Sequence, residues 1–199
     1  MSSDTRQKLL DAATQAFAET GYRTCVDEIA RRAGVAKQTL YHHFSGKDEL
    51  FAAAAKQMAC DVLVSLDGFA GGLRATLLRF ATIYREKVLG EVGLSLHRVL
   101  VAEAPRVPQL AQAVFAAGPG TTASCLEELI GRAMADGRLR RDDPAFATDM
   151  LLSMLAGMER SRRLLASTLP DDVAPDRTAR IVDCFLRAFA PDHPDTLAP

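Results

Sequence analysis

The sequence predicts an all-α protein: a three-helix head at the N-terminus, a long fourth helix, and a C-terminal helical bundle. Apolar residues recur at helical spacing through most of the chain. No stretch shows convincing alternation of period two, and glycines, prolines and capping residues punctuate the periodic segments at helix-like intervals. With 199 residues, 48% hydrophobic and 25% charged, the chain can form one small and one medium helical unit with a substantial core, in the proportions of a soluble globular protein.

The first helix is expected over about residues 4–20, where Leu9, Leu10, Ala13, Ala16 and Phe17 share a face and Gly21 ends the run. In the second, Ile29, Ala30 and Ala33 make a narrow apolar stripe while Asp27, Glu28, Arg31 and Arg32 point outward. Gly34 stands where the helix must stop and reverse, a position that wants positive φ. Val35 plugs back toward that helix, and Leu40 with Phe44, four residues on, gives the third helix a minimal buried face. Folding does not require the rest of its surface. Lys37, Gln38, Thr39, Tyr41, His42 and His43 combine cation, amide, hydroxyl and aromatic groups suited to phosphates and base edges. The layout is that of a helix-turn-helix, in which one helix steadies and the next enters the major groove. Residues 1–46 are therefore expected to be the DNA-binding domain and 47–199 a second domain.

The fourth helix opens at Ser45-Gly46-Lys47-Asp48-Glu49, with acids in the turn the helix dipole favours, and runs through Leu50, Phe51, Ala54, Met58 and Val62 toward Leu66. It is the expected lever between the two domains. Gly68, Gly71 and Gly72 mark a loop, and residues 73–88 read as a helix carrying Leu77, Phe80, Ala81 and Tyr84. Residues 90–93 are expected to interrupt it before a segment over 94–104, which Pro105 and Pro108 break ahead of 109–117. Gly118-Pro119-Gly120 opens a helix through Leu126, Leu129, Ile130, Ala133 and Met134. Asp143-Pro144 opens another, with Phe146, Met150, Leu151, Met154, Leu155 and Met158 in a broad stripe. Pro175 opens the last, with Ile181, Phe185 and Phe189 at i, i+4 and i+8, and the tail 191–199 is expected to fray.

The net charge of −1 does not favour nucleic acid globally, so DNA contact has to rest on the local placement of Arg23, Arg31, Arg32, Lys37 and Lys47. Neither an 18-residue apolar run nor a charged-then-greasy export signal is present, and a cytoplasmic protein is expected. Cys25, Cys60, Cys125 and Cys184 are widely spaced without a C-x-x-C motif, and the histidines form no ligand cluster, so no disulfide framework, metal or cofactor is expected. The lack of a Ser-His-Asp set, an H-E-x-x-H motif, a phosphate-cradling loop or a Cys-His pair argues against a small helical enzyme.

From Gly21 to Leu50 the run, with IA, AGV, a Lys before TLYHHF and then GKDEL, resembles the DNA-binding domain of the TetR/AcrR family of bacterial transcriptional regulators. The family usually carries a hydroxyl residue where this chain has Cys25 and Ala36; Thr24 is the expected substitute for the first of these helix caps. The resemblance implies a DNA-contacting set of Thr24, Cys25, Val26, Lys37, Gln38, Thr39, Tyr41, His42, His43 and Lys47. Within it Lys37 and Lys47 would meet phosphate (Lys37 alternatively guanine), and Gln38 and Thr39 would read bases. His43 could equally seat the helix by packing.

The runs EAPRVPQLAQAVFAAGP and DGRLRRDDPAFATDMLLSMLAG resemble C-terminal domains of an AcrR-like branch, which implies that this region senses a small molecule and dimerises. An effector pocket would then be lined by Phe80, Tyr84, His97, Arg98, Val101, Met154 and Met158. By the same resemblance Met150, Leu151, Leu155, Ile181, Phe185 and Phe189 would form a four-helix dimer seam. For each stripe and each methionine, plain core packing is the competing reading. The expected whole is a dimeric repressor that a small-molecule effector releases from operator DNA. The alternative is a DNA-binding protein of the same fold whose output is a protein contact, as in nucleoid occlusion.

Overall fold

The computed structural model describes residues 2–66, 72–165 and 176–191, and no strand occurs among them. The helices are α1 (Ser2–Thr20), α2 (Val26–Ala33), α3 (Lys37–His43), α4 (Lys47–Leu63), α5 (Gly72–Leu89), α6 (Glu91–Glu103), α7 (Pro108–Phe115), α8 (Thr121–Ala135), α9 (Pro144–Leu164) and α10 (Arg177–Ala188). They divide between two compact units, one formed by Met1–Asp61 with Lys87–Thr121, the other by Val62–Glu86 with Thr122–Pro199. Gly68, Gly71, Pro175 and the tail 192–199, on which expectations of a loop, a helix start and fraying fell, lie outside the described residues.

In the first unit Leu9, Leu10, Phe17, Ile29, Leu40, Phe44, Leu50 and Phe51 form one buried cluster, joined by Leu96, Leu110 and Val114. Burying such side chains stabilises by about 1.5–3 kcal/mol each, which is how a seven-residue helix like α3 is held by Leu40 and the following Phe44. Gly34 ends α2 at φ 69°, the left-handed conformation expected of it, and its N–H closes on the Ala30 and Arg31 carbonyls. Helix α6 packs on α1 and on the 3-10 turn Gly21–Arg23.

One expected break is corrected here. Residues 90–93 do not interrupt the chain as a block: Gly90 is the N-cap and Gly93 lies inside α6, where a Cβ would stand 2.0 Å from the Lys87 carbonyl oxygen. That glycine permits a close backbone approach. Gly118-Pro119-Gly120 leads into α8 as expected, with residues Ala116–Gly120 forming a π-helical turn directly preceding it. Pro119 has no N–H for the usual i−4 carbonyl, and a wider turn absorbs the missing bond.

In the second unit Leu77, Phe80, Leu126, Leu129, Ile130, Ala147, Leu151, Leu155, Val182, Phe185 and Phe189 form the core. Asp143 caps α9, its Oδ1 accepting from the Ala145 N–H at 2.9 Å, an interaction worth about 1 kcal/mol. The core places Leu151, Leu155 and Phe185 at 0% exposure and Phe189 at 1%, which removes these four from the expected dimer seam. The apolar stripe of an amphipathic helix goes first to its own bundle. Met150 and Ile181 are half-buried, and the outward positions include Phe146, Asp149, Ser153, Gly157 and Met158 on α9 and Arg180, Cys184, Arg187 and Ala188 on α10.

Candidate functional site

Helix α3 presents Lys37, Gln38, Tyr41 and His42 to solvent, with Thr39 and His43 half-buried at the edge of that face. The His42 and His43 rings meet edge to face at 5.4 Å. Neither α2 nor α3 carries a side-chain cap: the N-cap residues are Cys25 and Ala36. Thr24 does not substitute for the first, since it precedes the N-cap residue and is 7% exposed. Of the three residues leading into α2, Cys25 is exposed and Val26 packs partly against the core.

Most cations of this head are matched at home. Lys37 donates to Asp27, with Nζ 2.8 Å from Oδ1. Glu28 accepts from Arg31 Nε at 2.9 Å and from Arg32 Nε at 2.7 Å, while Arg32 Nη1 reaches Glu19 at 2.6 Å. Hydrogen bonds from Arg31 and then Arg32 hold the Glu28 carboxyl at about 2. Lys47 donates to the Tyr22 carbonyl at 2.7 Å and lies 4.1 Å from the Tyr22 ring centre. The Tyr22 hydroxyl in turn donates to Asp48, and burial, then that carboxylate, pushes its pKa up. Lys47 therefore ties the start of α4 to the turn after α1, a role its sequence position did not disclose. Arg23 is exposed on that turn.

The residues expected around an effector are only partly brought together. Phe80 and Tyr84 stack at 5.5 Å in the second unit, and Met154 packs against the same core. Met158 is 66% exposed. His97, Arg98 and Val101 lie on α6, in the first unit, with Val101 59% exposed. A surface cleft of about 390 Å³ in the second unit is lined by Gly72, Arg132, Asp136 and Arg138, none of them in the expected set.

Sequence reasoning missed Glu159. It is 4% exposed, with Arg85 Nη2 at 2.6 Å, Arg163 Nη2 at 3.0 Å and Arg177 Nε at 3.5 Å. Burial pushes its carboxyl pKa up, but the bonds and charges of Arg85 and then Arg163 outweigh that and hold it below the ordinary range. The four-residue spacing of Glu159 and Arg163 was visible in the chain, whereas the part played by Arg85 was not. Among the described residues no group of three His, Cys, Asp or Glu could hold a metal ion.

A steadying helix, a left-handed glycine turn and an outward polar helix together make a helix-turn-helix. Residues 9–54 match the family described as "Bacterial regulatory proteins, tetR family", and residues 75–191 match "AefR-like transcriptional repressor, C-terminal domain". The chain belongs to the TetR family of transcriptional regulators, which are DNA-binding regulators and not enzymes. It is 49% identical over 72 residues to the HTH-type transcriptional activator FasR of Mycolicibacterium smegmatis, an alignment that covers 36% of this chain and 32% of that protein. It is thus matched to about a third of that relative's length. A TetR-family regulator from Mesorhizobium loti shares the fold, with TM-score 0.76 and 24% identity over 96% of this chain and 98% of that one. The flavonoid-responsive regulator FrrA has TM-score 0.70 and 29% identity over 95% and 98%.

Proposed function

We propose that the protein is a dimeric repressor in the cytoplasm that holds an operator through α3 and lets go when a small molecule binds its C-terminal part. One observation carries this: Gln38, Tyr41 and His42 stand exposed on a helix whose folding uses only Leu40 and the adjoining Phe44. Residues 1–46 are the DNA-reading part and 47–199 the sensing and dimerising part. Lys37, Gln38, Thr39, Tyr41 and His42 make the contacts, Gln38 and Thr39 to base edges and Lys37 to phosphate once Asp27 is displaced. Cys25 and Val26 lie beside the backbone, and His43 and Lys47 position α3 and α4.

The dimer forms through the outward faces of α9 and α10, around Ser153, Gly157, Cys184 and Ala188. Two heads so joined reach half-sites spaced about 34 Å apart, or a multiple of it. Tyr84 and Met154, backed by the buried Phe80, are the apolar wall of the effector site. The effector acts by differential affinity for two conformers; a hundredfold loss of operator binding needs only about 2.7 kcal/mol of coupling. Helix α6 supports a route into the head, since it packs on α1 and on the turn that Lys47 grips.

Footprinting of the DNA upstream of the gene, followed by anisotropy titration with and without candidate effectors, tests the proposal. Protection of an inverted repeat is the expected result. Failure of folded protein to select any duplex would overturn it.

A further inference from the structure

The second unit carries a concentration of guanidinium groups that its core does not account for. Three arginines, Arg85, Arg163 and Arg177, surround the single carboxylate of Glu159. A fourth, Arg160, hydrogen-bonds the Tyr84 hydroxyl, and Tyr84 stacks on the buried Phe80. The local balance is strongly positive, and guanidinium groups stay charged at any working pH. Two donors here are buried without a hydrogen-bond partner among the described residues: Arg160 Nε, and Arg177 Nε, which has only the 3.5 Å ion pair to Glu159. A buried charged donor left unmatched is costly, and pairing with a planar anion is the geometry guanidinium forks favour.

We propose that this cluster is the head-group end of an effector site that takes an organic acid, its carboxylate held by Arg160 and Arg177 and its apolar body lying toward Tyr84 and Met154. The inference rests on the effector reading above and adds the chemical class of the ligand. Arg85 and Arg163 stay with Glu159, so of its three ion pairs only the longest, Arg177 Nε at 3.5 Å, has to yield to the anion. Aromatic wall and charged end stand together because Tyr84 belongs to both: its ring lies on Phe80 and its hydroxyl accepts from Arg160. The same carboxylate chemistry has a rival source in the chain itself, since Asp171 and Asp172 occur in the sequence between α9 and α10.

The test uses the full-length protein and a panel of straight-chain and aromatic carboxylic acids, kept below micellar concentrations and paired with their neutral amides. At least one acid should raise Tm saturably, by about 5–10 °C at a hundredfold excess over its Kd, while its amide does not. Arg177→Gln, a change at a half-exposed side chain, and Arg160→Gln should each lower the affinity for that acid at least tenfold with the helical circular dichroism intact. Equal shifts from acids and amides, no shift from any acid, or acid binding unchanged in both variants would overturn the assignment. So would a response to acids that appears only in an Asp171→Asn/Asp172→Asn variant, because the chain's own carboxylates would then be the occupants. Operator release, read separately by anisotropy, keeps the two proposals apart. An acid that binds through the arginines without releasing DNA supports the anion site and sinks the effector reading; a neutral compound that releases DNA while no acid binds does the reverse.

Discussion

Lys37 and Asp27 form an ion pair between α3 and α2, Nζ to Oδ1 2.8 Å, with both side chains more than half exposed. On the proposed reading, a DNA phosphate has to displace this carboxylate to reach Lys37. Exposed pairs of this kind are worth about 0.2–1 kcal/mol, so releasing Lys37 by Asp27→Asn should tighten binding to any duplex by up to about fivefold. The salt dependence should steepen by about one counterion. Anisotropy titrations at several salt concentrations measure both, and an unchanged slope would mean that Lys37 does not reach phosphate.

The role proposed for Gln38 differs in kind, because an amide can pair with a base edge but cannot neutralise a charge. Gln38→Ala should cost about 1–3 kcal/mol at particular base pairs and leave the salt slope alone. Lys47→Ala should instead weaken all sequences alike and lower Tm, since it also removes the bond to the Tyr22 carbonyl. Selection from a randomised duplex pool separates the two, and identical preference profiles would contradict the roles assigned here.

The proposed dimer seam can be probed with residues that differ in burial. Phe185, at 0% exposure, should not tolerate Asp: the charge has no partner in the core, and the loss should exceed about 3 kcal/mol, giving unfolding and not clean monomers. Ser153→Arg and Cys184→Arg change exposed positions and should leave Tm nearly unchanged while halving the mass in sedimentation equilibrium. A dimer that survives both arginines would place the interface elsewhere.

Gly93 offers a test of packing inside the first unit. With the Lys87 carbonyl oxygen 2.0 Å from where a Cβ would sit, Gly93→Ala has to push backbone against backbone. Overpacking of this sort costs about 1–3 kcal/mol. Thermal melts should show a drop of about 2–12 °C, and an unaltered Tm would show that the contact relaxes freely.

The head was legible because its determinants are local. Ile29, Gly34, Leu40 and Phe44 fall within one short stretch, and helical spacing, a left-handed turn and an i,i+4 pair identify them without knowledge of the rest. What stayed hidden depends on which distant segments meet. Arg85 lies 74 residues from Glu159, and Lys47 lies 25 from the Tyr22 carbonyl, so neither partnership leaves a periodic signal. The stripe of Ile181, Phe185 and Phe189 announced an apolar face correctly but not whether a partner or the protomer's own core would claim it. Gly93 shows the same ambiguity in backbone form, since a glycine that stops a helix and one that lets two helices touch are the same letter.

The Glu159 carboxylate makes stability depend on acid in a predictable direction. Its folded pKa is depressed by Arg85 and Arg163 against the opposing effect of burial. A depressed carboxyl contributes stability that is fully present above its unfolded pKa of about 4.3 and is lost as pH falls through the folded value. Removing one member of a buried ion cluster leaves the others uncompensated, so Glu159→Gln should cost about 3–5 kcal/mol at pH 7. The signature that separates this electrostatic role from simple packing is the pH profile. The gap in Tm between the wild type and Glu159→Gln should stay constant from pH 7 down to about 5 and close as the medium becomes more acid, because protonation then makes the two side chains alike. A gap that persists unchanged at pH 3 would show that Glu159 stabilises the second unit by its shape and hydrogen bonds and not by its charge.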